Sequence, residues 1–193
     1  MTVRTKRAFV AFRDLLRSRR FAADQRGVSA VEFALVLPFM LTLFLGGMQL
    51  SDAIGIDRKV TLTARTVADL VARVSVIDVT GVDSVLNAGT AVMSPYADSG
   101  GNASKLMARV SMIKIDAQSN VSVQWSRAKN GSPLSGAVDV PAQFLIPNSY
   151  LILGEATYNY TPPIGYVLTG TLHLNDRIFM RPRLSETVTC NGC

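Results

Sequence analysis

The sequence predicts an α+β protein: one long N-terminal helix, apolar and then amphipathic, packed on a small antiparallel β-sheet. Three observations carry this. Residues 33–50, FALVLPFMLTLFLGGMQL, contain no charged side chain. Beyond them, apolar residues recur at spacings of three and four, the period of a helix. After residue 105 the apolar residues alternate with polar ones, the period of a strand. The chain has 193 residues and is 48% hydrophobic, which suits one domain and one membrane segment. Residues 51–193 are numerous enough to bury a core of their own.

Charge divides the chain unevenly. Residues 1–26 hold eight basic side chains (Arg4, Lys6, Arg7, Arg13, Arg17, Arg19, Arg20 and Arg26) against Asp14 and Asp24, which is the whole of the net charge of +6. The remainder carries twelve basic and twelve acidic residues and is neutral. A nucleic-acid partner needs a basic face on a folded domain, and no region after Arg26 supplies one. Nucleic-acid binding is therefore not expected.

The elements follow in order. Val28–Leu50 has about the length that crosses a bilayer core, roughly 20 residues. The arginine-rich leader before it is expected to stay in the cytoplasm, and residues 51–193 to lie outside the membrane. Pro38 falls inside the apolar run, where membrane helices tolerate it as a kink. Gly46 and Gly47 form a second soft point that could also allow close helix packing. The helical signal continues from Ser51 to about Asp78 through Ile56, Val60, Thr63, Val67, Leu70, Val71 and Val74, with Asp57, Arg58, Arg65, Asp69 and Arg73 between them. The β-branched run Val74–Val79 and then Gly81 weaken it. A short second helix is expected over 82–93, with Val85, Leu86 and Val92 on one side. Ser94–Ser104 reads as a loop. Leu106–Asp116 and the segment from Val121 to Trp125 read as two strands joined by a short hairpin connection. Val140–Pro147 reads as a connection covering a sheet edge. Leu151–Tyr160 is a third strand, with Ile152, Ala156 and Tyr158 on one face. Leu168–Phe179 is a fourth strand or a projecting loop.

The segment with functional content is Arg26-Gly27-Val28-Ser29-Ala30-Val31-Glu32-Phe33, followed at once by the apolar run. In a secretory signal the apolar stretch is short and the cleavage site follows it. Here the run is longer and the glycine precedes it, so cleavage after Gly27 would leave the helix on the product. Glycine has no side chain to keep a peptidase from the scissile bond. Glu32 falls at the membrane boundary, where an unpaired carboxylate is costly; as a solvated helix-start residue it would instead be stabilised by the helix dipole.

Gly27, Glu32 and Phe33, with the basic leader before them and the apolar helix after, resemble prepilins, specifically the TadE-like pseudopilins (minor pilins) of the Tad, or Flp, pilus system. Gly154-Glu155-Ala156-Thr157-Tyr158-Asn159-Tyr160-Thr161-Pro162 is loosely similar to the aromatic strand before a proline in that family. The resemblance implies a pilin-like fold and a structural, non-enzymatic role in pilus assembly. It implies a prepilin peptidase that cuts after Gly27, making Val28 the new N-terminus and Glu32 the fifth mature residue. The Glu32 carboxylate would then pair with the Val28 amine, on its own or a neighbouring chain, and set the register of packing. The implied organisation is a leader over 1–27, a membrane helix over 28–50 and an extracytoplasmic domain over 51–193. The implied partners are other pilins and the inner-membrane assembly platform.

Other residues carry weaker signals. Cys190-Asn191-Gly192-Cys193 reads as a small disulfide loop, oxidised outside the cytoplasm, with a bond to a partner chain as the alternative. A thiol oxidoreductase would place this motif at a helix N-terminus, whereas here it follows strands. Two cysteines do not complete a zinc site. His173 reads as an edge-strand residue. Glu155 and Glu186 are single acids with no visible carboxylate partner, and Trp125, Tyr158 and Tyr160 read as core aromatics. Neither a metal nor a cofactor is expected. The competing reading is an uncleaved single-pass protein whose outer domain binds a ligand or senses a signal.

Overall fold

The computed structural model describes residues 26–97, 105–162 and 170–193. Most of the basic leader, much of the loop expected at Ser94–Ser104 and the start of the strand expected from Leu168 lie outside the described residues. The described chain is α+β, with a long N-terminal helix and an antiparallel sheet. The described residues fall into two units, divided between Gly47 and Met48.

Helix α1 spans Arg26–Ala72 and runs through Pro38. Proline lacks the N–H that would close the preceding turn. One turn later, the Thr42 hydroxyl donates to the Pro38 carbonyl at 2.7 Å. In the first unit the large apolar side chains of α1 are exposed, including Val31, Phe33, Leu35, Phe39, Leu43 and Phe44. The helix is long and apolar enough to cross a membrane.

In the second unit α1 turns one stripe to the core. Ala53, Ile56, Val60, Thr63, Ala64, Val67, Ala68 and Val71 are buried, at the spacing expected of one helix face. The helix ends at Ala72 and not near Asp78. The β-branched segment that follows leaves the helix and forms strand β1, Val76–Asp78. Its partner is β6, Thr189–Asn191, in parallel register from Val76 opposite Thr189 to Asp78 opposite Asn191. The Arg183 N–H donates to the Ala72 carbonyl at 2.9 Å and the Thr189 N–H to the Ser75 carbonyl at 3.1 Å. The end of α1 is thus satisfied by residues far along the chain.

Helix α2 covers Val79–Val92, three residues earlier at its start than expected. Asp78 is its N-cap and accepts from the Gly81 N–H at 2.8 Å and the Thr80 hydroxyl at 2.7 Å. A side-chain oxygen at this position satisfies a donor that the first turn leaves free. Its buried face is Val82, Leu86 and Gly89, rather than one led by Val85 and Val92. Gly89 lies so near α1 that an added Cβ would come 2.5 Å from Val67 Cγ2.

Four antiparallel strands form the main sheet in the order β3-β2-β4-β5. They are β2 Leu106–Ile115, β3 Val121–Lys129, β4 Ser149–Tyr160 and β5 Leu172–Met180. The β2–β3 turn is built on Asp116, whose carboxylate accepts from the Gln118 and Asn120 N–H groups at 2.9 and 2.7 Å. Val110, Met112 and Ile152 pack with Val67 and Ala68 of α1. Gly154 makes the close approach possible: a Cβ there would fall 2.4 Å from the Ala64 carbonyl oxygen. The opposite face is also buried. Ile113, Ile115, Leu151 and Leu153 pack under Val140, Phe144 and Leu145. The connection expected at a sheet edge therefore covers the back face, with Phe144 and Phe179 stacked at 5.5 Å.

Candidate functional site

Gly27, Val28, Glu32 and Phe33 all lie in the first turns of α1 and are exposed. Gly27 meets nothing: a Cβ added there would have no neighbour within 4 Å. Its backbone is also free of the left-handed conformation that demands glycine. No packing of the described chain requires a glycine there. Glu32 follows Val28 by four residues, so the two share one helix face. A helical Cβ leans toward the N-terminus, which carries the Glu32 carboxylate in the direction of Val28. Around Glu32 the surface is apolar, with Val31, Phe33, Leu35 and Val36 all exposed.

The cysteines belong to the second unit, and the fold does not group them with the N-terminal residues. Cys190 and Cys193 are joined by a disulfide. Cys190 lies in β6 opposite Ile77 and packs against the core around Val188. Val188 is buried and its carbonyl accepts from Trp125 Nε1 at 2.8 Å. The C-terminal segment is thus held by strand pairing, core packing and this hydrogen bond.

His173 is exposed on β5, with Nδ1 2.6 Å from Asn159 Oδ1 on the neighbouring strand. Among the described residues no three His, Cys, Asp or Glu side chains gather as a metal set.

Glu155 stands apart from its expected role as an isolated acid. It is only 4% exposed. Arg109 Nε contacts one carboxylate oxygen at 2.6 Å, and Arg177 Nε the other at 2.9 Å. The three residues are register partners on β2, β4 and β5. Arg109 also donates to the Ser132 carbonyl at 3.2 Å. A carboxylate held by two guanidinium groups is committed to structure. The sequence signal was an arginine in each of two strands flanking an acidic one, readable only once the strand order is known.

Tyr158 and Tyr160 lie side by side in the core cluster with Ile56, Val60 and Met93. Burial pushes both phenols above their ordinary range, and the Asp52 carboxylate adds to the effect on Tyr160. Both therefore remain protonated donors at neutral pH.

Comparison with known proteins adds one match. Residues 27–69 fit the model of the family described as TadE-like protein. The matched segment begins at Gly27 and covers most of α1. No curated protein matches the chain, and no solved structure does.

Proposed function

From this TadE-like helix, we propose that the chain is a pseudopilin, or minor pilin, of a Tad (Flp) pilus system. It is made as a precursor, inserted in the cytoplasmic membrane by residues 28–50, and trimmed after Gly27 by a prepilin peptidase. The leader stays cytoplasmic because its eight basic residues oppose translocation, and residues 51–193 lie on the outer side. The role is structural. Its partners are the peptidase, other pilins or pseudopilins, and the inner-membrane assembly platform.

One observation carries the reading: the exposed apolar surface of α1 starts directly behind a glycine that the described fold does not need. The apolar surface asks for lipid or for neighbouring helices. The glycine asks for a reason outside the fold, and close approach of a protease supplies it. Cleavage would create an amine at Val28 one helical turn from Glu32, so a carboxylate that is costly at the membrane boundary would gain a cation. The same pair formed between chains would fix how neighbouring helices align.

Mass spectrometry of the membrane-extracted protein tests this. The expected mature chain begins at Val28, and Gly27→Leu should leave the precursor uncut. A mature protein that still carries residues 1–27 would instead favour the uncleaved single-pass protein with a ligand-binding or sensing domain.

A further inference from the structure

A second feature lies in the outer domain. A cavity of about 240 Å³ is lined by Tyr96, Tyr158 and Tyr160 together with Asp52 and Lys105. Tyr160 is 6% exposed, yet among the described residues its hydroxyl has no hydrogen-bond partner. Native folds leave few buried donors unsatisfied. Its neighbour Tyr158 does have one, donating to the Tyr96 carbonyl at 3.3 Å. Because burial and Asp52 keep the proton on Tyr160, the unpaired group is a donor that lacks an acceptor.

The lining carries both signs of charge. Asp52 and the tyrosine rings suit a cation: carboxylates attract it directly, and ring faces attract ammonium groups, quaternary ones included. The Tyr96 ring already serves this way, with Lys59 Nζ 5.6 Å from its centroid. Lys105 and the Tyr160 hydroxyl suit an anion with acceptor oxygens. Neither a simple cation nor a simple anion satisfies both Asp52 and Lys105. A compact zwitterion with an ammonium and a phosphate does.

Position favours one source. Asp52 follows the last residue of the uncharged run, Leu50, by two positions, about 3 Å along a helix axis. The headgroup layer of a bilayer is roughly 5–7 Å deep on each side. We propose that this cavity binds the ammonium–phosphate pair of an ethanolamine- or choline-type phosphoester, drawn from a zwitterionic lipid headgroup. The proposal rests on the membrane anchor of the reading above and is independent of cleavage at Gly27.

Calorimetric titration of the full-length chain in maltoside micelles is the test. The probes are phosphoethanolamine, phosphocholine and their dihexanoyl-glycerol lipids, with inorganic phosphate and tetramethylammonium as single-charge controls. Saturable binding of a zwitterion is expected, at least tenfold tighter than either control. Asp52→Asn should weaken it at least tenfold and Tyr160→Phe at least fivefold. Without ligand, Tyr160→Phe should leave the Tm unchanged or raise it, because it removes an unpaired group and keeps the ring. Tighter binding of the short lipids than of the free phosphoesters supports the lipid source. Equal binding overturns that source, while retaining the phosphoester chemistry. No saturable binding, or binding that both variants leave intact, overturns the site. A precursor with an intact leader can be titrated in the same way, so failure here is separate from failure of the processing claim.

Discussion

Glu155 illustrates how a residue changes meaning between sequence and fold. Read along the chain, it is a lone acid in an apolar strand. In the sheet it lies between Arg109 and Arg177, and both oxygens are engaged. Replacing it with alanine would leave the largely buried Arg109 without its counter-charge. We expect a loss of about 3 kcal/mol in denaturant unfolding. Arg177→Ala should cost under about 1 kcal/mol, since that side chain is 54% exposed and water screens the pair. Equal losses for the two would contradict this division. Gly154 gives the opposite lesson. In a strand it reads as a weakness, but the Ala64 backbone comes so close that no side chain fits. Gly154→Ala should destabilise the second unit by about 1–3 kcal/mol, the usual range for overpacking, with thermal unfolding as the measure. Both meanings depend on cross-strand neighbours, which a linear pattern does not contain.

At the scale of elements, periodicity was a sound guide wherever one element's own face decided its form. The stripe through Ile56, Val60 and Val67 is buried as its spacing implies. Strands β2, β3 and β4 lie close to where alternation placed them. The failures are at ends. Helix α1 stops six residues early because residues 76–78 find a partner at 189–191, a pairing with no local signature. Strand β6 was not anticipated for the same reason. Helix α2 begins earlier because Asp78 caps it. That cap and the Asp116 turn share a pH dependence. Hydrogen bonds from Thr80 and Gly81 hold the Asp78 carboxyl below its ordinary 3.8, and those from Asn120 and Gln118 do the same for Asp116. Each depressed value means that ionisation favours the folded state. Their contribution is fully present above pH 3.8 and is lost as pH falls through the lower folded values. Asp78→Ala and Asp116→Ala should each flatten this acid limb of the Tm–pH curve and lower Tm at neutral pH.

For the whole molecule, the uncharged run 33–50 made the long apolar helix legible from the sequence. The first turns of α1 carry the candidate processing residues because Gly27, Glu32 and the apolar run are local in sequence. The tyrosine cavity was not legible, because Asp52, Tyr96, Lys105 and Tyr160 meet only after the sheet docks on the helix. Processing at Gly27 would remove the +6 leader and leave a near-neutral chain, and an immunoblot of wild type beside Gly27→Leu would register this as a single faster band against a slower one. The closure of β1 by β6 has a temporal side. Ser75 and Thr189 are 114 residues apart, so at ribosomal rates of 5–20 residues per second the helix end waits roughly 6–23 s for its hydrogen-bond partners. During that interval the carbonyls at Ala72 and Ser75 are open to water. The second unit is therefore vulnerable longest at the point where its oldest element must meet its youngest.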